Sequence, residues 1–201
     1  MDYLYEEKAL NAGYKLVCGI DEAGRGPLAG PVYAAAVILP LGLSIEGLND
    51  SKKISEKKRE QLFDVICEKA VDYSIGIATE QEIDEINILN ATFLAMHRAV
   101  EGLKTKPDYA LIDGNQYPKI PFVMEETVVK GDAKAMSIAA ASILAKVSRD
   151  RFMLEKAKEY PQYQFEKHKG YGTKVHYEML NEYGPSPIHR MSFLKKLYGG
   201  K

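Results

Sequence analysis

Two apolar runs, Lys15 to Ile20 and Pro31 to Leu39, are parted by nothing more than a glycine-rich turn, and three further runs follow at Tyr73–Ala78, Tyr109–Ile112 and Phe122–Val129. Each is the length of a buried strand rather than of a helix. The first two lie so close in sequence that they are expected to pair antiparallel. Segments with helical spacing stand between the later runs. Ser55 is placed to cap a helix reaching about Val71, with Leu62, Val65, Ile66 and Ala70 as its apolar stripe. Thr79-Glu80-Gln81-Glu82 fits a capping box, and Ile88 to Leu103 carries a strong helical pattern. A long helix is expected from about Ala133 to Glu159, with its Ala-rich part, Ser137 to Val147, buried nearly all round. A short helix is expected near Val175 to Glu182. Antiparallel strands followed by strands alternating with helices predict an α/β fold with a mixed sheet of five strands.

The chain has 201 residues, 46% of them apolar and 27% charged, which suits a globular protein. Such a length buries roughly 70% of the surface exposed when unfolded, so no disulfide or structural metal is needed. Cys18 and Cys67 are far apart and lack a C-x-x-C partner, which excludes sulfur-based metal chemistry and predicts buried small hydrophobes. No run approaches the ~18 apolar residues of a membrane span, and the acidic start, Met1 to Lys8, is unlike a signal peptide, so a cytoplasmic protein is expected. No repeat, linker or heptad is visible. The expectation is a single domain over 1–201, with a core of about 15–160, a C-terminal helical segment of about 161–201, and a monomeric state.

The net charge of −1 conceals a division. Residues 146–201 hold twelve Lys and Arg against six Asp and Glu, leaving that segment near +6 and residues 1–145 near −7. One surface is expected to attract an anion while another concentrates carboxylates, although a solvated basic helix would give the same count.

Three apolar runs end in acids: Ile20-Asp21-Glu22, Ile112-Asp113-Gly114, and Val129-Lys130-Gly131-Asp132. Strand ends of an α/β sheet are where side chains from several strands converge. Four carboxylates gathered there would repel one another unless cations neutralise them. Oxygen donors without His or Cys favour Mg²⁺ or Mn²⁺ over zinc, and two such ions ~4 Å apart suit phosphodiester cleavage. Asp113-Gly114 could instead be a turn pair and Asp132 a helix cap. Asp21-Glu22 is harder to explain structurally, because adjacent acids at the end of a buried strand add nothing to a core.

Gly24-Arg25-Gly26-Pro27-Leu28-Ala29 formally matches the dinucleotide-binding fingerprint G-x-G-x-x-A. A strand-like run follows it where that fingerprint needs a helix, and the preceding acids would repel a metal-free pyrophosphate. Close backbone approach to a phosphate or sugar is the better use of these glycines, with Arg25 beside them.

Residues Gly19 to Val32 (GIDEAGRGPLAGPV) resemble the signature of the type 2 ribonucleases H, bacterial ribonuclease HII in particular. Asn49 to Lys53, Asn87 to Thr92, Leu111 to Gly114, Lys130 to Ala133, Ser137 to Val147 and His168 to Thr173 extend the match over about 15–190 without a departure at a motif position. Ribonuclease HIII carries an added N-terminal domain and a Glu as fourth acid, and this chain has neither. The resemblance implies a ribonuclease H-like fold, a five-stranded mixed sheet flanked by helices, with a C-terminal segment that closes over substrate. It implies that Asp21, Glu22, Asp113 and Asp132 are catalytic and hold two Mg²⁺ or Mn²⁺ ions. The implied activity is cleavage of RNA in RNA–DNA hybrids and nicking 5′ of single ribonucleotides in duplex DNA, giving 3′-hydroxyl and 5′-phosphate ends, in ribonucleotide removal and genome maintenance. Gly24, Arg25 and Gly26 would read the 2′-hydroxyl through backbone groups, and Tyr171 would stack on the following deoxyribose. The resemblance leaves room for a sliding clamp as partner.

A 2′-hydroxyl is the one handle that separates RNA from DNA at a nucleotide, and backbone groups reach it only where no side chain intervenes. Tyr171 would read as a core aromatic by itself, but Lys169, Gly170 and Gly172 suggest an exposed basic loop. Lys52, Lys53, Lys146 and Arg149 are the candidate phosphate contacts. His97 reads as structural, and neither His168 nor His176 is given a catalytic role. A non-catalytic hybrid-binding module and a nicotinamide-dependent dehydrogenase are the competing readings.

Overall fold

The computed structural model describes residues 1–48 and 54–198. Five strands, β1 (Val17–Ala23), β2 (Val32–Ile38), β3 (Asp72–Ala78), β4 (Tyr109–Asp113) and β5 (Met124–Val128), form one sheet in the order β3-β2-β1-β4-β5. β1 pairs antiparallel with β2, opposing Gly19 to Val37 and Asp21 to Ala35, and parallel with β4. β2 pairs antiparallel with β3, and β4 parallel with β5. The sheet is mixed and five-stranded, as expected. Its central strands are apolar on both faces, which is why β1 and β2 read as continuous runs.

The helices are α1 (Leu4–Asn11), α2 (Glu56–Lys69), α3 (Glu80–Glu101), α4 (Met136–Glu159), α5 (Phe165–His168), α6 (Lys174–Tyr183) and α7 (Lys195–Tyr198). Ser55 caps α2 and Thr79 closes a capping box with Glu82. α3 is interrupted at Asn87 (φ 67°), whose Oδ1 accepts from the amides of Leu89 and Asn90 and so restarts the helix. α4 begins three residues later than the pattern suggests, because Gly131–Ala133 forms a 3-10 turn. No local side chain caps it. Glu6 of α1 does so instead, accepting from Ser137 N at 2.9 Å and Ser137 Oγ at 2.6 Å. β5 is shorter than its apolar run, since Phe122 takes a left-handed φ of 64° beside Pro121.

Residues alternate along β1, so Cys18 and Ile20 face α3 while Gly19 and Asp21 face α4. Both helices rest on glycine. A Cβ on Gly19 would lie 2.1 Å from the carbonyl carbon of Ser137, and one on Gly76 of β3 would lie 2.0 Å from the carbonyl oxygen of Ala95. α4 therefore crosses the centre of the sheet at backbone contact, and this brings its buried polar residue Ser142 to Asp21. Gly19→Ala is expected to cost about 3 kcal/mol or more of stability, because backbone opposes the new methyl and cannot yield as a side chain would. Urea unfolding, compared with Gly26→Ala, whose added Cβ meets nothing nearer than 3.8 Å, checks this.

Candidate active site

Asp21 is 5% exposed, midway along a paired strand, with one residue of β1 beyond Glu22. The acids thus lie just inside the strand end rather than at its terminus. Burial pushes the Asp21 carboxyl well above its ordinary range, and the charges of Glu22 and Asp113 push it further; hydrogen bonds from Ser142 and from Glu22 N, at 2.7 Å, oppose them. Asp113 ends β4, and its Oδ1 accepts from Gly131 N at 2.7 Å and Asp132 N at 3.4 Å. It thereby fixes the turn that carries the buried Asp132, whose carrier Lys130 adopts a left-handed φ of 58°. Asp113 thus serves the Gly131–Ala133 turn structurally while its charge bears on Asp21; Asp132 is not the cap of α4, a position held by Ala135.

Among the described residues no three His, Cys, Asp or Glu side chains already stand as a metal cage. The donor set nevertheless suits a hard divalent cation. It is oxygen throughout, and it includes a buried carboxylate pressed by two other acids. Arg25 meets Glu22 at 3.4 Å, and Lys146 is held by Asp150 at 2.6 Å.

One cavity of about 220 Å³ is lined by Asp21, Glu22, Gly24, Arg25, Gly26, Ser142, Lys146 and Tyr171. The glycine loop, the acids and a tyrosine 150 residues away in sequence thus share one surface, with Tyr171 44% exposed. The two loop glycines differ. Gly24 (φ 98°) has no room for a Cβ, which would meet Arg149 Nε at 2.2 Å, whereas a Cβ on Gly26 would find only Tyr171 Cε1, at 3.8 Å. Gly24 is required by the protein itself. Gly26 keeps open a path from outside.

Arg149 does not sit where a phosphate could reach it. It is 1% exposed, and its guanidinium donates to the carbonyls of Pro31, Ala29 and Lys169. An arginine on the inner face of a buried helix builds the loop instead of the nucleic-acid surface, and the phosphate assignment is corrected accordingly. Lys146 does line the cavity. Lys52 and Lys53 lie outside the described residues. Sequence reasoning missed Ser142, a polar residue in an otherwise apolar helix run, and Arg190, which donates to Gly24 O, Arg25 O and Gly30 O from the far end of the chain. The first had a visible signal in its buried polar position. The second had none.

A charged Asp21 is disfavoured in the folded state, so this group's contribution to stability falls as pH rises through the carboxylate range. Asp21→Asn is therefore expected to stabilise the metal-free protein at pH 7 by about 1–2 kcal/mol. Mg²⁺ should raise the unfolding temperature of the parent protein and have a much smaller effect on the variant. Thermal unfolding in EDTA and in Mg²⁺ checks both.

The family described as Ribonuclease HII matches residues 18–196. Ribonuclease HII of Caldicellulosiruptor bescii is 57% identical over 192 residues, spanning 96% of this chain and 93% of its own. Among solved structures, the ribonuclease H2 from Pyrococcus horikoshii OT3 superposes with a TM-score of 0.73 at 29% identity, over 89% of this chain and 93% of that one. The ribonuclease HII of the PCNA complex from Archaeoglobus fulgidus gives 0.71 at 25% identity, over 88% and 94%. The fold is ribonuclease H-like, in agreement with the mixed sheet and its flanking helices. The chain belongs to the ribonuclease HII family and is a hydrolase of phosphodiester bonds, an endoribonuclease.

Proposed function

We propose that this endoribonuclease cleaves the RNA strand of RNA–DNA hybrids and nicks duplex DNA on the 5′ side of single embedded ribonucleotides, leaving 3′-hydroxyl and 5′-phosphate ends, in the service of ribonucleotide removal from the genome. The observation that carries this reading is the cavity itself, where two acids, an open glycine loop and a half-exposed tyrosine face the same space. A dehydrogenase has no use for the acids, and a binding module has no use for a buried carboxylate held against repulsion.

Asp21, Glu22, Asp113 and Asp132 are the proposed catalytic and metal-holding residues. Two Mg²⁺ or Mn²⁺ ions would supply an activated water and stabilise the leaving 3′-oxygen. Ser142 steadies Asp21, and Asp113 holds the turn of Asp132, so the carboxylates are oriented before substrate arrives. Backbone groups of Gly24, Arg25 and Gly26 are proposed to read the ribose 2′-hydroxyl, and the Tyr171 ring to pack against the following deoxyribose. Lys146, and Lys52 and Lys53, are the proposed phosphate contacts. Residues 161–198 supply Tyr171 and would close over the duplex.

The Archaeoglobus relative is seen with PCNA; a sliding clamp is the corresponding partner class proposed here. A monomer acting in the cytoplasm fits this reading, and no helix among the described residues is long and apolar enough to cross a membrane.

An end-labelled DNA duplex with one ribonucleotide is expected to show a single nick 5′ of that residue in Mg²⁺ or Mn²⁺, abolished by Asp132→Asn. Folded protein that leaves the duplex intact at every metal concentration would overturn the assignment. Gly26→Ala offers a separate check. Its Cβ meets no backbone, so the unfolding temperature should stay within about 2 °C while cleavage at a single ribonucleotide falls by about tenfold or more. Gly24→Ala should lose stability as well.

A further inference from the structure

Three of the four histidines lie buried together behind the Tyr171 loop. The rings of His168 and His176 stack at 4.5 Å, and those of His176 and His189 are 5.1 Å apart, with Phe165 edge-on to the first pair and Tyr163 tilted on His189. Their nitrogens form a chain. Ser186 N lies 2.9 Å from His189 Nδ1, His189 Nε2 lies 2.9 Å from His176 Nε2, and His176 Nδ1 lies 2.9 Å from the carbonyl oxygen of Tyr171.

Both ends of this chain have fixed roles. The Ser186 amide can only donate, and the Ser186 hydroxyl, 2.8 Å from the same nitrogen, donates beside it, so His189 Nδ1 accepts and its Nε2 carries the proton. The Tyr171 carbonyl can only accept, so His176 Nδ1 carries a proton and its Nε2 accepts. The two deductions start from opposite ends and meet consistently at the central contact. Both rings are therefore neutral and every bond points towards Tyr171. A further proton would set N–H against N–H at 2.9 Å, for His176 at the central contact and for His189 at the Ser186 amide. His168 completes the grip, donating from Nε2 to Tyr163 O and accepting Gly170 N–H at Nδ1, 3.2 Å away. The amide side of the Gly170–Tyr171 loop is thus held by one histidine and its carbonyl side by another.

We infer that His176 and His189 are positioning residues for Tyr171, forming a one-way, obligatorily neutral hydrogen-bond relay that sets the ring against the glycine loop. Neither touches the cavity. The inference rests on the proposed role of Tyr171 only for its effect on catalysis. Burial pushes both rings down to about 4, with the neighbouring histidines adding to the effect. The titratable groups acting on this pair are each other and His168, which is itself flanked by Glu166, Lys167 and Lys169; the Tyr163 phenol stands against the cluster. Because the folded rings hold protons more weakly than free histidine, the relay is intact at neutral pH and breaks only as pH falls through about 4, while its contribution to stability already declines below about 6.5.

The chain contains no tryptophan, so Tyr171→Trp introduces a single indole that reports the loop directly. In that background His176→Phe, which keeps the ring and removes the relay, should at least double acrylamide quenching of the indole at pH 7.5, and His176→Gln, which can still donate to the Tyr171 carbonyl, should restore most of the protection. His189→Phe should act like His176→Phe, which covers the case where one variant fails to fold by circular dichroism. On the single-ribonucleotide duplex His176→Phe should raise KM about tenfold with kcat changed less than twofold, and adding it to Tyr171→Ala should cause no further loss. Unchanged quenching in both folded phenylalanine variants, or a full additional loss in the double variant, overturns the relay and leaves the substrate reading standing. Freed indole in variants for which Tyr171→Ala itself leaves KM unchanged supports the relay and removes the substrate reading.

Discussion

Two buried guanidinium groups hold the chain together where it has no regular structure. Arg149 of α4 and Arg190 of the C-terminal segment together donate to the carbonyls of Gly24, Arg25, Ala29, Gly30 and Pro31, and Arg149 adds Lys169. Most of the stretch between β1 and β2 is buried and, apart from the Ala29–His189 bridge, lies outside the sheet, so its carbonyls need donors or the fold would carry unsatisfied buried groups. The planar, five-donor arginine fork is suited to several carbonyls at once, and lysine is not. Burying two cations side by side is costly. Burial and the charge of Arg149 push Arg190 down to about 9, and buried Glu80, one of whose oxygens has no hydrogen-bond partner, supplies opposing charge to both arginines.

This arrangement couples the site to the far end of the chain. The glycine loop belongs to the first thirty residues, yet its shape depends on Arg190, and the loop bearing Tyr171 is tied to it by Leu28 N donating to Gly170 O at 2.8 Å and by Arg149 reaching Lys169 O. Asp84 of α3 in turn accepts from Ser192 N and Oγ, fastening the C-terminal segment to the main body. Of the four proposed catalytic acids Asp21, Glu22 and Asp113 sit on the sheet and Asp132 on the turn after β5, and the proposed recognition surface sits on two mutually anchored loops. In the proposed function rigid elements would thus carry most of the chemistry, and loops fixed from within the selectivity.

Much of this was legible in the residues. The five strands, the capping box at Thr79 and the α2 cap at Ser55 follow from local patterns, because strand runs and caps depend on neighbours in sequence. The acids were legible as well, since Asp21 and Glu22 interrupt a buried strand and gain nothing there. Arg149 was misread for a physical reason. A cation just past the apolar run of a helix looks the same in sequence whether it faces solvent or a buried loop, and only the packing of α4 over β1 decides between them. The positive φ of Asn87 and of Phe122 was likewise not anticipated from the sequence.

The sequence by itself determined the alternation of strands and helices, the placing of carboxylates near strand ends and the presence of a glycine loop beside them, because each is written in residues adjacent along the chain. Only the tertiary structure decided which glycine is structural and which faces open space, which cations are spent on backbone carbonyls, and how three histidines from α5, α6 and the C-terminal segment come to lie together behind Tyr171. Those outcomes depend on contacts between residues up to 166 positions apart. Spacing in sequence carries no information about them until the sheet and its glycine-seated helices have brought the two ends of the chain together.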